Sequence, residues 1–141
     1  MRPYTVLAAL MMLAATGYTQ DDKPAYSAIP DGSTAAHAAK AEQNYAACLA
    51  TANDGVTESA LAHVALMKLS MPERDYRLLN ARVADVARTA GSPEIRYKAF
   101  LTGMVLGHPE VFTALPSVTY QSPDEFFGAV ASRLGEYYAT R

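Results

Sequence analysis

Between Tyr76 and Ala90 the apolar residues keep a helical beat. Tyr76, Leu79, Val83, Val86, Ala87 and Ala90 fall within about 100° of one another on a 3.6-residue helix, with Arg74, Arg77, Asp85 and Arg88 on the opposite side. The same spacing recurs along most of the chain. Tyr45, Cys48, Leu49 and Ala52 form one stripe in the Ala-rich segment from Thr34 to Ala52. Ala62, Ala65, Leu66 and Leu69 form another, widened by Leu61 and Val64, and Phe127, Val130, Leu134 and Tyr137 form a third near the C-terminus. Such a chain reads as all-α with about five helices.

Capping signals suggest the boundaries. Asn53-Asp54-Gly55 reads as the stop of helix 1, and Thr57 as the N-cap of helix 2 with Glu58 favourable against the helix dipole. Ser70-Met71-Pro72-Glu73 and Ser122-Pro123-Asp124-Glu125 have capping-box spacing, opening helices 3 and 5. Gly91 closes helix 3 at the position after its cap. Helix 4 runs from Ser92-Pro93-Glu94 to Leu106 and stops at Gly107-His108-Pro109. Helices 2 and 4 are apolar around most of their circumference, Phe100 included, and are expected to be central. Residues 110–121 read as the least helical part, with a short helical turn over Pro109–Leu115 and then an irregular loop.

The N-terminus has a different character. Met1 to Thr5 carries one positive side chain, Val6 to Ala15 is an unbroken apolar run, and Ala15-Thr16-Gly17 is a small-x-small triplet. That order is expected of a secretory leader over residues 1–17, and the run is about half the length a membrane span needs. Residues 18–33, with Pro24, Pro30 and Gly32, read as a tether, leaving 34–141 as one domain. The expectation is an exported protein, periplasmic or secreted, with no integral span after cleavage. The single cysteine, Cys48, cannot form an internal disulfide, lies too far downstream for a lipid anchor and reads as a small buried hydrophobe. A net charge of -2 gives no case for a nucleic-acid partner, although seven basic residues stand against four acidic ones between Lys68 and Lys98.

Two helix pairs align with one another. Residues 45–73, shifted by 37, meet 82–110 with seven identities in 29 positions, among them Met67 with Met104, Pro72 with Pro109 and Glu73 with Glu110. The segment Ser92-Pro-Glu-Ile-Arg-Tyr-Lys-Ala-Phe-Leu-Thr-Gly-Met-Val-Leu-Gly-His-Pro-Glu-Val111 resembles a HEAT-type helical repeat, with its Pro-acidic-x-Arg start and Gly-x-Pro-Glu turn. The resemblance spans roughly residues 45–112. It implies a short α-solenoid capped by helix 5, and a binding or scaffolding surface without an activity. An irregular five-helix bundle would show the same stripes and caps, so both architectures stay open here.

The polar residues find structural roles. Ser70, Ser92 and Ser122 read as caps, and Glu73 and Glu125 as their partners. His37, His63 and His108 lack helical metal spacing, so no metal, cofactor or catalytic residue is expected. The surface feature with functional content is the basic side of helix 3, where Arg74, Arg77 and Arg88, flanked by Arg82, would meet a protein or an anionic envelope partner. Tyr120, Tyr137 and Tyr138 are expected to gather near the last helix. The alternative is a small exported enzyme with a site near the 108–121 loop, around His108 and Tyr120.

Overall fold

Helices form wherever the stripes run. The computed structural model describes residues 35–141; the expected leader and tether lie outside the described residues. The α-helices are α1 (Ala35–Leu49), α2 (Asp54–Ser70), α3 (Arg77–Thr89), α4 (Pro93–Gly107) and α5 (Pro123–Ala139). Two 3-10 turns, Pro109–Phe112 and Leu115–Ser117, join α4 to α5, and there is no strand among the described residues. The fold is all-α. None of the described helices is long and apolar enough to cross a membrane.

Two helix starts differ from the sequence reading. Asn53 does not stop α1 so much as begin α2: its side-chain oxygen accepts the Val56 N–H, and Thr57 lies buried inside the first turns. An Asn beside a Gly carries both messages, and the adjacent apolar stripe decides which is used. The Ser70–Glu73 box is not used at all. Ser70 is the last residue of α2, its hydroxyl donating to Leu66 O. The apolar run of α2 carries the helix to Ser70, and Met71, pressed by Pro72, leaves helical geometry. Helix α3 then starts seven residues after Ser70, at Arg77, whose N–H is received by Asp75. The other caps form as read: Ser92 accepts the Ile95 N–H and Ser122 accepts the Glu125 N–H.

Helix α1 packs on α2 and α3, α2 and α4 pack on one another, and α3 packs on α4, whereas the diagonal pairs barely touch. Helix α5 lies against both α2 and α4. Ends of α2 and α4 meet like with like: Glu58 and Lys98 meet near their starts, and Leu69, Pro72, Pro109 and Glu110 line one cleft at their ends. The two helices therefore run in the same direction. They also finish identically. Met71 (φ -134°, ψ 66°) donates to Met67 O, and His108 (φ -137°, ψ 56°) donates to Met104 O, at equivalent positions of the 37-residue shift. The carbonyls of Met71 and His108 in turn accept from Arg74 and Val111, again equivalent positions.

The core gathers Leu61, Val64, Leu66 and Met67 of α2 with Leu79 and Val83 of α3, Leu101 and Val105 of α4, and Phe126 and Val130 of α5. The segment read as a helical turn and loop holds the 3-10 turns Pro109–Phe112 and Leu115–Ser117. It sends Val111, Phe112, Leu115 and Tyr120 into that core. Helix α2 is central as expected, but α4 is buried on one side only, with Tyr97 53% and Phe100 50% exposed.

Candidate functional site

The starts of α2, α4 and α5 converge on one lysine. Glu94 and Asp124 stand in the first turns of α4 and α5, and Glu58 stands a turn into α2. Lys98, one turn beyond Glu94, has a side chain only 6% exposed. Its ammonium bonds Glu58 and Asp124, and lies 2.6 Å from Glu94 Oε1. The Phe127 ring centroid is 6.0 Å away. Three ammonium donors thus meet three carboxylates. Burial acts to lower the Lys98 pKa, but hydrogen bonds to Asp124, Glu58 and Glu94 outweigh it, and the net shift is upward. The hydrogen bond from Lys98, and then its charge, hold Asp124 below the usual carboxylate range.

This arrangement balances itself. Three carboxylates and one ammonium leave an excess of negative charge, and each of the three helix starts contributes about half a positive charge. The carboxylate oxygens lie within 4.8 Å of one another, close enough to hold a cation, but the Lys98 ammonium already supplies it. A metal ion would have to displace a buried, hydrogen-bonded lysine. The cluster acts as an electrostatic clasp among three helices. Sequence reasoning placed Glu58 against a helix dipole and Asp124 within a capping segment, and overlooked Lys98. The signal was present: Lys98 shares the helical face of Ile95, Thr102 and Val105, where a lysine needs a partner.

The arginines of the basic side do not form one ridge. Arg74 precedes α3 and turns back to Glu42 of α1, at 3.3 Å. Arg77 opens α3 and pairs with Asp75 at 2.8 Å. With Lys68, Arg74 and Arg77 line a shallow depression of about 220 Å³. Arg88 sits at the other end of α3, paired with Asp85. Each of the three is matched by its own carboxylate, so the face presents less net charge than the residue list suggests.

Arg82 differs. It has no acidic partner among the described residues, and it lines a groove of about 760 Å³ between the α1–α2 turn and the α3–α4 turn. Leu49, Val86 and Ile95 give that groove an apolar floor, and Asp54, Thr57 and Ser92 stand around it. Asp85 also faces it but is committed to Arg88.

The remaining candidates are dispersed. His63 stacks on Tyr45 at 5.7 Å and its Nδ1 lies 2.8 Å from Ser59 O, a satisfied helix-face histidine. His108 is exposed, 3.4 Å from Glu110, whereas Tyr120 is buried with its hydroxyl on Leu115 O. His37 is exposed on α1, and Cys48 is half-buried at the edge of the core rather than within it. The tyrosines do not gather: Tyr120 packs on Phe126 at the start of α5, and Tyr137 packs on Tyr138 at its end. No family model, curated protein or solved structure matches this chain.

Proposed function

We propose that this chain is an exported helical binding and scaffolding module, not an enzyme, that takes a segment of another protein in the groove beside Arg82. The observation that carries the proposal is the unpaired guanidinium on the wall of an apolar-floored groove. A guanidinium suits a carboxylate, and the floor suits small aliphatic side chains. Asp54 on the same groove disfavours a polyanion, so a protein segment with one acidic residue beside apolar ones fits better than an anionic polymer. Two stacked helix pairs with matched terminal turns support the HEAT-like reading of the scaffold, in which grooves between successive turns serve as binding surfaces. Export rests on the charge, length and small-residue order of residues 1–17.

The test is recovery of partners from envelope extract by the wild type, by Arg82→Glu and by the triple Gln variant of Arg74, Arg77 and Arg88. Loss of capture with Arg82→Glu alone supports the groove. Full capture by Arg82→Glu overturns it. N-terminal sequencing of the exported protein tests the leader, and an intact Met1 on cytoplasmic protein would overturn export.

A further inference from the structure

Two exposed charges are left unmatched by the fold, and they are opposite in sign. Among the described residues Glu73 is the one glutamate with neither an ion pair nor a hydrogen bond. Arg82 is the one described arginine with no ion pair, hydrogen bond or ring contact. Both residues are exposed, and each stands beside apolar surface. Arg82 is on the groove floored by Leu49, Val86 and Ile95, and Glu73 is on the cleft of about 390 Å³ that Leu69, Pro72 and Pro109 line. The turn that carries Glu73 cannot enter the groove of its own chain. That groove reaches Asp54 and Thr57 at the start of α2, whereas Glu73 lies beyond its end. The 17 residues of α2 set its two ends about 25 Å apart.

We propose that the groove beside Arg82 takes the Pro72-Glu73 turn of a second copy, so that copies associate head to tail. The proposal rests on the groove reading above and names an occupant for it. The turn has the chemistry that groove suits, an acidic residue beside an apolar one, both exposed. It is also held in shape before any partner arrives: the Arg74 N–H donates to Met71 O, and the Lys68 ammonium donates to Pro72 O. A preformed turn loses little conformational freedom on docking. The charges match in both senses. Glu73 is the anion for Arg82, and Lys68, at the same turn, is a cation for Asp54 on the groove. The contact is heterologous, since it uses different surfaces of the two copies. Each contact therefore leaves a free groove at one end and a free turn at the other, and association continues past the dimer. One turn in one groove buries less than the about 1,200 Å² of a standard interface, which sets a weak Kd of about 10–100 µM.

Sedimentation velocity on the full chain, from about 1 to about 500 µM, reads the association. The expected result is a weight-average mass that climbs past the dimer as concentration rises. Arg82→Glu and Glu73→Arg should each weaken association more than about tenfold by setting like charges face to face. Their equimolar mixture should associate again, because the first variant keeps the native turn and the second keeps the native groove. A chain monomeric throughout overturns the proposal. So does either single variant associating like the wild type, or a mixture that associates no better than its components. The groove reading fails separately: it stands if Arg82→Glu loses envelope partners while the chain is monomeric throughout, and it falls if Arg82→Glu keeps them.

Discussion

Lys98 of α4 bonds Asp124 of α5 across 26 residues of sequence, at the point where both helices begin. The contact fixes where α5 docks after the chain has travelled the 110–121 segment, and Glu58 ties α2 to the same ammonium. Replacing Lys98 with Met keeps the bulk and removes the cation, leaving three carboxylates within 4.8 Å of one another. The expected loss is about 2–4 kcal/mol, somewhat below the about 3–5 of a fully buried pair, because Glu94 and Asp124 can regain water. Urea unfolding at neutral pH measures it. A loss under about 0.5 kcal/mol would place the clasp among ordinary surface ion pairs.

The pH dependence has a definite sign at each end. Asp124 has its folded pKa lowered, so its contribution is present above the unfolded value of 3.8 and fades as pH falls through the folded one. Lys98 is raised, so its contribution is complete below 10.5 and fades as pH climbs toward its folded pKa. Tyr76, pushed up to about 12 chiefly by burial, also loses its contribution between 10.0 and that value. Thermal unfolding should therefore show a plateau between about pH 5 and pH 9.5, with losses outside it. Asp124→Asn should flatten part of the acid limb, and an unchanged limb in that variant would remove Asp124 from the account.

Leu101 and Phe100 are neighbours in sequence with opposite fates. Leu101 is 1% exposed and Phe100 is 50% exposed. Leu101→Ala should cost about 2–5 kcal/mol, and Phe100→Ala under about 1 kcal/mol. Chemical denaturation of both variants decides it, and equal losses would mean that α4 is buried on both faces.

The stripes were legible because period and burial are the same physics read twice. Leu79, Val83 and Val86 are buried because α3 has one apolar side, which its sequence displays. Helix α4 was harder. Two apolar faces look alike in a sequence, and only the placement of α2, α3 and α5 shows that Phe100 points outward. Phe112 was missed because a 3-10 turn is too short to establish a period, and Tyr120 because it lies in the irregular stretch between the second turn and α5. Local signals also compete: Ser70 with Glu73 satisfies the spacing of a box, yet the longer apolar run of α2 prevails. Lys98 was readable in phase, but two of its three partners lie 40 and 26 residues away.

The three serines separate used caps from unused ones. Ser92→Ala and Ser122→Ala each leave a first-turn N–H without its side-chain acceptor and should cost about 1 kcal/mol. Ser70→Ala should fall within about 0.5 kcal/mol of wild type, since its hydroxyl bonds a carbonyl that already belongs to α2. Asn53→Ala should behave like the first two. Thermal melts of the four variants would settle the order, and a costly Ser70→Ala would restore the capping box at the start of helix 3.

The arginines are expected to divide by partner, not by position. Arg74→Gln removes a half-buried pairing with Glu42 that joins α1 to the segment before α3, and should cost stability, about 1–2 kcal/mol. Arg77 and Arg88 pair with Asp75 and Asp85 on side chains 91% and 72% exposed. Their Gln variants should lie within about 0.5 kcal/mol of wild type. Arg82→Gln should leave stability unchanged, having no ion pair to lose, and should reduce partner capture, with the remaining capture less sensitive to salt because an exposed charge acts over about 8–10 Å near physiological ionic strength. Unfolding curves and capture at two salt concentrations, run on the same four proteins, test both halves. Arg82→Gln that melts early, or captures normally, removes the distinction between the paired arginines and the free one.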